Sequence, residues 1–190
     1  MSATTPSTMR TARCGWLAML LCLCTIDAAA ASGRGADLPA GWRLPTDEEL
    51  SDPLRGDSRS RHAEVRADFN GDGVEDLGWM LKSRTGGGEA LWVQLSRARH
   101  GASWIKLDEI PRLSGDNGSN LVMAIDMVKP GLIAYACFDT APDCNFGADA
   151  QRPKLRLADA SLLYFRPESA ASLFFWSNTH RRFMRVWLSD

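Results

Sequence analysis

Two alternating runs that flank a short acidic loop constrain this chain more than any other feature in it. Val65, Ala67 and Phe69 alternate with Glu64, Arg66 and Asp68, and beyond the loop Leu77, Trp79 and Leu81 resume the same period. A period of two belongs to a strand with one face buried. Between the runs lies Asp68-Phe69-Asn70-Gly71-Asp72-Gly73-Val74-Glu75-Asp76, with oxygen-bearing side chains at 68, 70, 72 and 76 and glycines at 71 and 73. That spacing lets a tight turn aim several oxygens at one point, as a hard cation such as Ca²⁺ requires. A strand, a cation loop and a second strand are therefore expected here.

The pattern continues along the chain. Leu91, Val93 and Leu95 follow Thr85-Gly86-Gly87-Gly88, a flexible hairpin connection, and Ile105 and Leu107 sit in a strand introduced by His100-Gly101-Ala102. Leu121, Met123, Ile125 and Met127 make a long alternating run that Lys129-Pro130-Gly131 ends. Residues 132–138 read as one continuous apolar strand, and strands near 161–166, 172–176 and 183–188 close the chain. Short period-two runs between Gly, Pro and Asn-Asp turns predict an all-β fold, an antiparallel sandwich or short propeller-like sheet array with one calcium loop. A propeller needs several blades of about 40–50 residues. The acidic loop occurs once, so a single calcium-pinned β domain is expected. Trp79, Trp92, Trp104, Trp176 and Trp187 lie in or beside the strands and read as core and sheet-face packing.

The start of the chain reads as an address, not as fold. Arg10 and Arg13 precede an apolar run from Cys14 to Ile26, and Ala28 to Ala31 offer small-residue cleavage sites. The expected organisation is a signal peptide over 1–31, a leader with a short helix over 32–63 and a calcium-binding β domain over 64–190. Lipoprotein processing at Cys22 or Cys24 is the competing reading, and Leu stands before each where a small residue is wanted. Cleavage leaves a net charge of −2 and no basic block, which argues against nucleic acid as the partner. No later apolar run is long enough to span a bilayer. Cys14, Cys22 and Cys24 leave with the signal, so Cys137 and Cys144 remain as an even pair, expected as a disulfide in an oxidising compartment. In the leader, Thr46 with Glu49 three residues on is a capping box that predicts a helix start. Residues 55–61 read as a polar connector, with Arg55-Gly56-Asp57 as a turn.

Within the acidic loop Asp68 takes the first ligand position, Asn70 the third and Asp72 the fifth. Val74 offers its carbonyl at the seventh, and Asp76 lies at the ninth. An EF-hand needs a glutamate at the twelfth position, where this chain has Trp79. The EF-hand is therefore excluded. The pattern D-x-N-x-D-G-x-x-D between strands resembles the calcium loop of FG-GAP and VCBS-type repeats. The resemblance implies Asp68, Asn70, Asp72 and Asp76 as side-chain ligands of calcium, with Glu75 turned to solvent. A looser resemblance spans 64–190. The lone loop, Leu91-Trp92-Val93-Gln94-Leu95-Ser96 and the ending Phe183-Met184-Arg185-Val186-Trp187-Leu188-Ser189-Asp190 are similar to small periplasmic VCBS-like proteins of Gram-negative bacteria. Some of that group are immunity proteins related to periplasmic lysozyme inhibitors. The resemblance implies a periplasmic location and a secreted peptidoglycan hydrolase or toxin as partner. It also implies that the loop Ser114-Gly115-Asp116-Asn117-Gly118-Ser119-Asn120 enters the partner's cleft.

No catalytic pattern accompanies these features. His62, His100 and His180 are scattered, with no HExxH and no GxSxG. The expected function is non-enzymatic: an inhibitor or immunity factor against a cell-wall hydrolase. The alternative is a calcium-stabilised envelope protein with a glycan-binding or structural role.

Overall fold

The computed structural model describes residues 37–97, 101–111, 120–136 and 154–189. Eleven strands lie among them: β1 (Trp42–Arg43), β2 (Glu64–Ala67), β3 (Asp76–Ser83), β4 (Glu89–Arg97), β5 (Gly101–Ile110), β6 (Ala124–Val128), β7 (Gly131–Ala134), β8 (Lys154–Leu157), β9 (Ser161–Phe165), β10 (Ala171–Ser177) and β11 (Arg182–Ser189). The described residues contain no α-helix, and so no helix among them is long and apolar enough to cross a membrane. The protein is all-β, and every named strand pair is antiparallel.

The runs around the acidic loop pair with each other, with Ala67 opposite Asp76 and Glu64 opposite Trp79. β2 covers one half of that edge of β3, and β1 covers the other, with Trp42 opposite Ser83. β4 and β5 extend the sheet from the far edge of β3. A second sheet runs β11-β10-β9-β6, and β7 pairs with β8 in a separate ribbon.

Alternation decides which side chains face inward. Met80, Leu91, Val93 and Leu95 of the first sheet meet Ile125, Leu162, Tyr164 and Phe174 of the second in one core, joined by Phe69 from the acidic loop. Fully burying each such side chain contributes about 1.5–3 kcal/mol. Two glycines mark where the second sheet approaches the first. A Cβ on Gly78 would stand 2.7 Å from Leu162 Cδ2, and a Cβ on Gly71 would stand 2.7 Å from Asp159 Oδ1. Leu162 lies in β9 and Asp159 in the turn before it, so β9 reaches the acidic loop at one end and β3 further along.

Four expectations change. The capping box forms, with Thr46 N–H donating to Glu49 Oε2 at 2.8 Å and Glu49 N–H to Thr46 Oγ1 at 3.3 Å. A single turn results in place of a helix, because the residue before a proline is pushed out of the helical region. Asp52 stands at ψ 121° before Pro53, and a short 3-10 helix, Pro53–Arg55, follows. The polar connector 55–61 begins with a buried residue, Arg55, only 1% exposed. The alternating run at 121–127 is strand only from Ala124, because side chains take the backbone groups of 121–123 (see below). The apolar strand expected over 132–138 ends at Ala134, with Ala136 making an isolated bridge to Trp187; residues 137 and 138 lie outside the described residues.

Candidate functional site

The loop between β2 and β3 is held by its own carboxylates. Asp68 Oδ1 accepts from the N–H of Gly71 at 2.8 Å and of Asp72 at 3.2 Å, and its Oδ2 accepts from Gly73 N–H at 2.7 Å. Asn70 Oδ1 accepts from Asp72 N–H at 3.0 Å, and Asp72 Oδ1 accepts from Val74 N–H at 2.9 Å. Asn70 Nδ2 donates to Asp72 Oδ2 at 3.2 Å. The winding needs positive φ at Gly71 (71°) and Gly73 (81°), a region that costs glycine nothing. Asp68, Asn70 and Asp72 are thus brought together, and Val74 is tied to Asp72. Glu75 is exposed and lies 3.6 Å from Arg66 Nη1.

Asp76 lies at the base of the loop and is fully buried. Its Oδ2 accepts from Phe69 N–H at 3.0 Å and its Oδ1 from Ser96 N–H at 2.8 Å, joining the loop to β4. Burial pushes its carboxyl up to about 6, and Asp72 and Asp68 push it the same way, while the two amide bonds oppose the rise. Asp159 approaches from the other side, against Gly71. Its Oδ2 is buried and has no hydrogen-bond partner. Sequence reading missed this residue. Its only signal is a lone acid in Leu157-Ala158-Asp159-Ala160, ahead of an apolar strand.

Among the described residues no three His, Cys, Asp or Glu side chains converge on one point. Asp68 and Asp72 use oxygens on loop amides, so a cation would have to draw them inward. The chemistry of the group nonetheless fits a hard cation. The donors are oxygens, and an oxygen accepting one N–H keeps a second lone pair. Asp159 Oδ2 has no hydrogen-bond partner, and the buried Asp76 carboxyl is bonded by two amides but joins no ion pair among the described residues. Asp68, Asn70, Asp72 and Asp76, with the Val74 carbonyl, would hold the ion. When bound it supplies the positive charge that offsets their mutual repulsion.

A second constellation lies at the opposite end of β3. Glu89 is buried on the inner face, and its Oε2 and Oε1 accept from the N–H of Val122 at 2.9 Å and Met123 at 2.7 Å. Arg55 donates to the carbonyls of Arg61, Leu121 and Met123 at 2.9, 2.8 and 2.6 Å. Lys82 Nζ donates to the Asn120 carbonyl at 3.5 Å. Leu121 N–H donates to the Glu49 carbonyl at 3.0 Å. Burial pushes Glu89 up and Arg55 down, and the attraction between their charges opposes both shifts. These bonds replace strand pairing at 121–123. Glu89 also pairs with Ile110 in the ladder, so both ends of the chain between Ile110 and Leu121 are fixed at one residue. Of the expected partner loop, Asn120 is described and exposed; Ser114, Gly115, Asp116, Asn117, Gly118 and Ser119 lie outside the described residues, as do Cys137 and Cys144. A cleft of about 230 Å³ opens beside Asn120, lined by Asp52, Leu54, Val122 and Arg166.

The outer face of the first sheet gathers Trp42 with Trp79, Trp92 and Trp104, three residues that sequence reading assigned to core and sheet-face packing. Trp79 and Trp92 are cross-strand partners. Trp42 packs edge-on to Trp92 with centroids 5.8 Å apart, and Trp104 lies 5.9 Å from Trp79. Lys106 Nζ stands 5.9 Å over Trp42 and 5.8 Å over Trp92. Trp79 is buried, whereas Trp42, Trp92 and Trp104 are half-buried.

Comparison with protein-family models, with curated proteins and with solved structures finds no match for this chain.

Proposed function

We propose that this chain is a calcium-stabilised protein, exported to the periplasm, that binds a secreted peptidoglycan hydrolase or toxin and blocks it as an inhibitor or immunity factor. The observation that carries this reading is the double anchoring at Glu89. Its backbone pairs with Ile110 and its carboxylate holds Val122 and Met123, so the segment containing the 114–120 loop leaves and re-enters a fixed base. A loop on a fixed base can enter a cleft at low ordering cost. The buried Arg55 and the calcium loop stabilise the scaffold at its two ends.

A second reading, glycan binding, draws on the outer tryptophan face, where Trp42, Trp92 and Trp104 keep part of their rings exposed. One experiment separates the two. The exported protein is co-expressed with the secreted hydrolase encoded beside it, and wall lysis is followed. Protection should disappear when 114–120 is replaced by a short Gly/Ser linker and persist in Trp92→Ala. Full lysis despite exported, folded wild-type protein defeats the inhibitor reading. Retention of peptidoglycan fragments that is lost in Trp92→Ala supports the glycan one.

A further inference from the structure

We propose that residues 37–43, a strap on the outer face of the first sheet, are a displaceable cover, and that a chain of neutral sugars takes their place on Trp79, Trp92 and Trp104. The inference rests on the glycan reading of that face and adds the segment that regulates it.

The strap is seated by few contacts. Leu38 and Trp42 pack on the cluster around Trp79. Trp104 Nε1 donates to the Asp37 carbonyl at 2.9 Å. Arg84 donates through its N–H to the Gly41 carbonyl and through Nε to the Trp42 carbonyl, both at 2.9 Å. β1 adds a ladder of two residues. Segments with so short a ladder open ahead of the whole fold.

The seat beneath the strap has unmet bonds. Trp79 is 2% exposed, and neither its Nε1 nor that of the half-buried Trp92 has an acceptor. An indole N–H can only donate, and a buried tryptophan ordinarily finds it a partner. The side chains packed around Trp79 are Leu38, Trp42, Trp92 and Trp104, none of which carries an acceptor. The strap thus covers two donors without satisfying them.

The chemistry of the occupant follows from the seat. It must bring acceptors to two indoles and lie against aromatic rings. At the rim Lys106 and Glu109 are paired with each other, so no net charge is asked of it. A sugar presents C–H groups to a ring and hydroxyl or amide oxygens to a donor, which suits an aromatic wall with a few polar groups. Trp42, edge-on to Trp92 at 5.8 Å, is the strap's own stand-in for a sugar ring.

The test uses the full exported chain and chitotetraose, a neutral tetrasaccharide of N-acetylglucosamine, with affinity read by calorimetry. Leu38→Ser loosens the strap and leaves Trp79, Trp92 and Trp104 in place. Arg84→Gln, which removes the side-chain bond to the Trp42 carbonyl, serves the same purpose if the first variant does not fold. Either should bind about tenfold more tightly than the wild type, because the uncovered state is populated more. Hydrogen exchange at the Arg84 amide, which the seated strap protects through Gly41, should speed up when the sugar binds. Trp92→Ala should lose binding. Wild-type affinity in the strap variants, or slower exchange at Arg84, overturns the displacement and leaves the glycan reading standing. No binding by any of these proteins, or binding that survives Trp92→Ala, overturns both.

Discussion

Gly78→Ala should destabilise this protein, although the same change in an ordinary strand stabilises by about 0.5–1 kcal/mol. The sign follows from geometry. The added methyl would lie 2.7 Å from Leu162 Cδ2 and 2.9 Å from Val65 Cγ2, where carbon atoms pack at about 3.5–4.0 Å. Neither neighbour yields easily. Leu162 is fully buried, and Val65 is stiff at χ1 because it branches at Cβ. Overpacking of this kind costs about 1–3 kcal/mol, which exceeds the gain in propensity. Leu162→Ala alone should cost about 2–5 kcal/mol through lost contacts and the cavity it leaves. In the double variant the new methyl sits in that cavity, so the two costs should fall short of their sum by about 1 kcal/mol or more. Urea titrations of the four proteins read this directly as midpoints at constant slope. A cost for Gly78→Ala that is the same with and without Leu162, or no cost at all, refutes the packing of β9 on β3 at this point.

Two further outcomes concern the buried charges. Arg55→Met should lose about 3–5 kcal/mol, because three carbonyls lose their donor and Glu89 loses a counter-charge; a urea midpoint shift worth less than about 1 kcal/mol would contradict the clamp. The carboxyl of Glu49 sits at about 2, below its ordinary 4.5, chiefly because Arg43 Nη1 and Nη2 each donate to it at 2.7 Å. A lowered folded-state value means that the stabilisation is complete above about 4.5 and is lost as pH falls toward about 2. Allowing for the partial exposure of Arg43, it amounts to about 1–2 kcal/mol. Wild type should therefore lose more stability than Glu49→Gln between pH 6 and pH 3, and equal losses would count against the pair.

Elements whose information is local were legible in the sequence. The strands around the acidic loop, the hairpin at 85–88 and the turn at 129–131 follow from period and turn chemistry within a few residues. The capping box was legible too, but its helix was not to be, because Pro53 acts on Asp52 from the far side. Leu121 and Met123 carry the right alternation for a strand. Their backbone groups are nevertheless claimed by Arg55 and Glu89, residues more than thirty positions away, and no local pattern reports that. The tryptophan face depends on register: Trp79 faces Trp92 only once β3 and β4 are aligned. The four carboxyl and amide side chains of the acidic loop were visible as a motif, whereas the approach of Asp159 to Gly71 arises only from the packing around β9. Periodicity does not say which strand lies across which.

Each end of β3 buries one acid that accepts two backbone amides, and the two differ in the charges around them. At the Lys82 end Glu89 is compensated by the chain itself. Amides of Val122 and Met123 bond it, and Lys82 and Arg55 hold its carboxyl down against burial. Buried backbone groups at 121–123 need partners, and the charged side chains supply them. At the Asp76 end only Asp76 is buried, and the amides of Phe69 and Ser96 bond it, while Asp68 is half-buried and Asp72 exposed. Asp68, Asp72, Asp76 and Asp159 appear in no ion pair among the described residues, and Arg66 meets Glu64 and Glu75 instead. On the calcium reading proposed above, a cation at the acidic end would offset the mutual repulsion of Asp68, Asp72 and Asp76. A divalent cation bound by oxygen does so with a single particle. Because it would bind the folded form alone, each tenfold excess over its dissociation constant would add about 1.4 kcal/mol to the stability of the two-sheet arrangement.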